Sequence, residues 1–181
     1  MRGIRFAAVL GLAFLAPVVL ADSESPARPV EGMLLDWPDE EGWKAANKQE
    51  NSRVQMIEIV RGEETVDNWT ELGTMISNKG TVLPSIAMGY ETYKTQLEKT
   101  CPGAVFEIRD VEADAEYPRM IFTFSCERTP KDGHAESAVW LLMQGKQSLY
   151  VAQRAIRSAR IPEDLCLRWI EWLKTARVVV R

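Results

Sequence analysis

Residues 135–157, AESAVWLLMQGKQSLYVAQRAIR, decide the fold. They read as two strands joined at Gln144-Gly145-Lys146-Gln147, where glycine tolerates the positive φ that tight hairpin turns need. A two-residue turn sets Leu142 opposite Leu149 and Trp140 opposite Val151. Alternation along a strand puts these four on one face and Val139, Leu141, Met143, Tyr150 and Ala152 on the other. Both faces are therefore apolar, whereas a sheet with one wet face alternates apolar and polar residues. The hairpin belongs inside a sheet with further layers packed on each side.

On its N-terminal side lie two more strand patterns. Phe106 and Ile108 share one face, as do Met120, Phe122 and Phe124. The link between them carries Asp110, Glu112, Asp114 and Glu116, a spacing without the fixed glycine and closing glutamate of a calcium loop, so it reads as a solvated acidic connection and no metal is indicated. If that link closes symmetrically, residue 104 faces residue 124 and Cys101 lies beside Cys126. A disulfide needs Cα atoms within about 7 Å, and closing this loop of about 25 residues contributes about 3 kcal/mol on a chain-entropy basis. The third cysteine, Cys166, falls against the apolar face of the last helix and reads as a buried thiol.

Arg53 to Arg61 alternates as a strand, with a weaker strand before it from Trp43 to Lys48. Trp69, Leu72 and Ile76 recur at helical spacing behind Glu63, Glu64 and Asp67, which predicts a helix closed by Asn78-Lys79-Gly80. A second helix follows Pro84, with Ile86, Tyr90, Tyr93 and Leu97 as its apolar stripe. The last helix starts at Pro162-Glu163-Asp164 and faces inward through Leu165, Trp169, Trp172 and Leu173. Residues 178–181 form a tail or an extra strand. The fold class predicted is α+β: an antiparallel sheet of about six strands with helices packed on both faces, the last helix on one and the two earlier helices on the other.

The first 21 of the 181 residues read differently. Arg2 and Arg5 precede an apolar run from Phe6 to Leu20 that is too short for a span and is interrupted by Pro17. This is the pattern of a secretory signal cut before Asp22. Residues 22–41 then form an extended lead and 42–181 a single domain. The formal charge of −4 becomes more negative once Arg2 and Arg5 leave, which argues against a nucleic-acid partner. No later segment is apolar enough to insert in a membrane. The expected location is periplasmic or secreted, an oxidising setting in which a disulfide persists.

The chain holds no nucleophile elbow, Walker loop, dinucleotide fingerprint, CxxC or HExxH, and a single histidine, His134, beside a glycine turn. No catalytic residues and no cofactor are indicated. One cationic group stands out. Arg154 and Arg157 follow the central strand and are the candidate binding residues, as an anion-binding pair or as neutralisers of nearby acids on an acidic protein.

The strand Met56-Ile57-Glu58-Ile59-Val60-Arg61, the expected helix around Asn68-Trp69-Thr70-Glu71-Leu72 and the stretch Tyr150-Val151-Ala152-Gln153-Arg154 together resemble the Mog1/PsbP-like group, which includes the DcrB-like bacterial proteins. The resemblance implies an antiparallel sheet between helices and a binding or accessory role, and it brings no catalytic residues with it. The functional expectation is an exported, non-catalytic protein of the cell envelope that binds another protein. The alternatives are a small-molecule or anion binder using a cleft near Arg154 and Arg157, and a hydrolase built on paired carboxylates.

Overall fold

The structure, a computed structural model, describes residues 30–38, 42–130 and 133–181. The signal segment 1–21 and the first part of the lead lie outside the described residues. Nine strands and two helices follow in the order β1 (Glu31–Leu34), β2 (Trp43–Glu50), β3 (Val54–Arg61), β4 (Glu71–Lys79), α1 (Ile86–Thr100), β5 (Val105–Glu112), β6 (Arg119–Cys126), β7 (Glu136–Gln144), β8 (Ser148–Ile156), α2 (Glu163–Leu173) and β9 (Arg177–Val180). Seven strands form one antiparallel sheet in the order β2-β3-β4-β8-β7-β6-β5, and β1 pairs with β9 as a separate ribbon.

The opening stretch is β7 and β8, at the centre of that sheet. Leu142 pairs with Val151 and Gln144 with Leu149, so the pairing is displaced by two residues from the predicted register. A shift of two preserves which face each side chain occupies. Trp140, Leu142, Leu149 and Val151 pack in one apolar cluster with Ile86 and Tyr90 of α1. Val139, Leu141, Met143, Tyr150 and Ala152 pack in the other with Trp169, Ile170 and Leu173 of α2.

The helix predicted over Trp69 to Ile76 is instead strand β4, paired with both β3 and β8. Its sequence, ELGTMISNK, holds Gly73, Thr74, Ile76, Ser77 and Asn78, all poorer helix formers than alanine or leucine. Leu72 and Ile76 satisfy a helical spacing and a strand spacing alike, and burial between two strands decides between them. The expected helical layers on both faces are corrected accordingly. Among the described residues there are two helices rather than three, and the molecule is mainly β. The α2 side of the sheet is completed by Leu35, Met33 and Val178 from the chain ends rather than by helix. The lead placed over 22–41 thus contributes β1 to the fold, and the C-terminal residues form β9.

Helix α1 starts where Ser85 Oγ accepts the Met88 main-chain N–H at 3.3 Å, a side-chain N-cap. It ends at Cys101, whose sulfur is bonded to Cys126, with Cα atoms 6.1 Å apart. The predicted disulfide therefore fastens the end of α1 to the end of β6. Val105 pairs with Ser125, two residues from the symmetrical closure, and a bulge lies between Ile108 and Asp110. Cys166 is a buried free thiol on α2. No described helix is long and apolar enough to cross a membrane.

Candidate functional site

Arg154 of β8 projects to the α2 side, where 4% of its side chain is exposed. Its Nε and Nη2 donate to Glu71 Oε2 at 3.0 and 2.8 Å. The same carboxylate oxygen lies 3.3 Å from Arg61 Nη2. Aromatic rings cover the guanidinium: Trp43 at 5.0 Å, Trp169 at 4.7 Å and Trp172 at 5.9 Å. Arg61 also lies over Trp43, at 5.2 Å. Trp37 closes the group, 5.1 Å from Trp43 and 4.4 Å from Trp172.

The neighbours explain why this nest forms. Gly73 pairs with Arg154 in the sheet, and a Cβ at Gly73 would stand 2.3 Å from the Trp37 ring. Only glycine leaves room for that indole to lie on the strand. Trp172 Nε1 donates to the Asp36 carbonyl at 2.8 Å and holds the chain around Trp37 against α2. Each cation–π contact adds to burial where the cation is desolvated, and the Glu71 carboxylate neutralises a charge that would otherwise be costly inside. The arrangement is a structural clamp joining β2, β4, β8, α2 and the chain around Trp37. An external anion would have to displace Glu71 to reach Arg154.

Arg157 is elsewhere. Its Nη2 donates to the Asp67 carbonyl at 2.9 Å, and its guanidinium lies 4.9 Å over Trp69, a member of the α1-side cluster. The two sequence-predicted arginines are therefore not brought together. Arg157 lines a cleft of about 340 Å³ with Trp69, Thr100, Thr129, Glu58 and Glu136. Three acidic residues, Glu58, Asp67 and Glu136, line the cleft beside one guanidinium, so its balance is acidic. His134 is exposed, and its carbonyl accepts hydrogen bonds from Thr129. Three acids of the 110–116 stretch are engaged with cations: Asp110 lies 3.7 Å from Lys174, Glu112 pairs with Arg119, and Glu116 lies 2.6 Å from Lys146. No group of three or more potential metal ligands occurs among the described residues.

Burial holds the Cys166 thiol above its ordinary pKa, against the pull of Arg109. A thiol so placed is a poor nucleophile.

The exposed edge of the sheet was not singled out by sequence reasoning. Strand β5 ends the sheet and leaves Val105, Ile108 and Val111 at 66%, 48% and 46% exposure. Phe106 and Ile108 were assigned a common face, but nothing in the alternation says that no further strand follows. The opposite edge, β2, reads WKAANKQE and presents mostly polar side chains.

No family model and no curated protein matches the chain.

Proposed function

We propose that this is an exported accessory protein of the cell envelope that acts by binding another protein, and that strand β5 is where the partner adds. The observation that carries the reading is the edge of β5, which no described strand pairs and which leaves Val105, Ile108 and Val111 exposed among the charged residues Glu107, Arg109, Asp110 and Glu112. Edge strands offer unpaired N–H and C=O groups, and proteins ordinarily protect them with charge, bulges or cover. Here one bulge interrupts the strand between Ile108 and Asp110, and the run from Val105 to Ile108 is regular. An extended segment of the partner fits this edge, with main-chain hydrogen bonds giving affinity and its apolar side chains meeting Ile108 on one face of the sheet and Val105 on the other. The secretory pattern at the N-terminus and the Cys101–Cys126 bond support export, and the resemblance to the Mog1/PsbP-like group agrees with an accessory role.

The test is capture from envelope extract by the mature chain and by a Val105→Lys/Ile108→Lys variant, with folding checked by circular dichroism. The reading predicts a reproducible partner that the variant loses by at least tenfold. A partner retained equally by the variant, or no reproducible partner, contradicts it.

A second reading is a small ligand in the Arg157 cleft, favoured by its volume of about 340 Å³. Titration with citrate, followed through the Trp69 resonances, tests it. Saturable shifts that vanish in Arg157→Ala support the cleft, and unchanged spectra remove it.

A further inference from the structure

A cavity of about 770 Å³ lies beside β1. Residues Val30 to Met33 form one wall, and no residue of β9 contributes. Val30 and Arg181 exchange both main-chain hydrogen bonds, each at 2.9 Å. In an antiparallel pair such bonded positions alternate with positions whose N–H and C=O point away. With Glu31 opposite Val180 and Met33 opposite Val178, Glu31 and Met33 direct their main-chain groups away from β9, along the side that the cavity occupies. No described strand pairs with that edge.

The floor is made by Gln55 of β3 and Ser77 of β4, with the fully buried Tyr150 of β8 closing it beneath; they lie side by side because Gln55 pairs with Ser77 and Ser77 with Tyr150. All three are neutral hydrogen-bonding side chains. The charges around them are matched internally. Lys79 Nζ lies 2.8 Å from Glu50, and the Glu31 carboxylate accepts the main-chain N–H of Lys146 at 2.9 Å and of Gln147 at 2.8 Å. That last grip fixes β1 against the β7–β8 turn and holds the cavity open from one end. Gly32, in the middle of the wall, has no heavy atom within 4 Å of where a Cβ would stand, so another backbone can approach there.

We infer that this cavity is a second binding site, for an uncharged extended peptide segment that pairs with the outer edge of β1 and lays its side chains on Gln55 and Ser77. The volume is in the range of built ligand sites. A strand-like backbone is the ligand that matches donors and acceptors presented by residues two apart. Internally paired charges at the rim disfavour an ionic ligand. The inference is independent of the β5 reading and uses a different edge.

The test is selection of random hexapeptides displayed on phage against the immobilised mature chain. Enriched peptides are then assayed on Ser77→Arg, which fills the floor, and on Met33→Pro, which deletes an outward N–H that β9 does not use. The site predicts enriched peptides that are poor in charge and lose at least tenfold in affinity on each folded variant. If Ser77→Arg does not fold, Met33→Pro alone decides. Failure to enrich any peptide, or peptides that bind every folded variant as well as the parent, overturns the inference. Peptides lost on Ile108→Lys and kept on Ser77→Arg also overturn it, while leaving the β5 reading standing.

Discussion

Strands β2 and β5 close the same sheet at its two ends, each with one bulge, and they differ in the apolar surface they leave uncovered. β2 turns lysine, asparagine and glutamine outward, and its one large aromatic, Trp43, lies under two guanidinium groups. β5 leaves three aliphatic side chains uncovered. Charge along an edge is a standard protection against adding another strand. Both edges carry charge, β5 through Glu107, Arg109, Asp110 and Glu112, so what distinguishes β5 is its uncovered aliphatic side chains, and the proposed partner adds there rather than at β2.

The strongest way to break the comparison is to untie Trp43. Glu71→Ala leaves Arg154 buried without its carboxylate and sets it against Arg61 over one ring. Removing one partner of a buried ion pair costs about 3–5 kcal/mol, so urea unfolding should show a loss of that size. A mutant within about 1 kcal/mol of the parent would show that the nest is not a clamp. Next in size is the fastening of the other end. Replacing Cys101 and Cys126 with serine opens a 25-residue loop and should lower stability by about 3 kcal/mol, with the amides of Val105 to Ile108 losing protection first in hydrogen exchange. Smaller still, Lys44→Val with Lys48→Val should give β2 the character of β5, and sedimentation should show concentration-dependent self-association that the parent lacks. The smallest effect concerns Cys166. Its thiol pKa is raised by burial, so the unfolded chain ionises first. The stabilising contribution is complete below the unfolded value of about 8.5 and fades as pH rises toward the folded value. Cys166→Ala should flatten that alkaline decline, and thiol reagents should label native protein slowly at pH 8.

The two sides of the sheet differed in how far they could be read from sequence. The α1 side was legible because its parts carry periodic patterns: the stripe of α1, the alternation of β7 and β8, and the two cysteines at one end of a hairpin. The α2 side was not. Its nest gathers Trp37, Trp43, Glu71, Arg154, Trp169 and Trp172 from across the chain, and no local spacing announces that meeting. β4 shows the same limit on a smaller scale. Leu72 and Ile76 fit either period, and Gly73 was informative only once Trp37 was seen lying on it. The register of β7 with β8 slipped by two because the turn centres on Lys146 and Gln147 rather than on the glycine. The faces survived that slip because two is the period of a strand. Arg154 and Arg157 were recognisable as unusual, and their spacing of three already puts them on different faces of a strand.

Backbone hydrogen exchange of the chain, alone and saturated with the partner it captures, tests addition at β5 most directly. The account predicts new protection at Val105 to Ile108 with no change along β2. Protection gained on β2, or a bound partner that leaves the β5 amides exchanging as before, would contradict it.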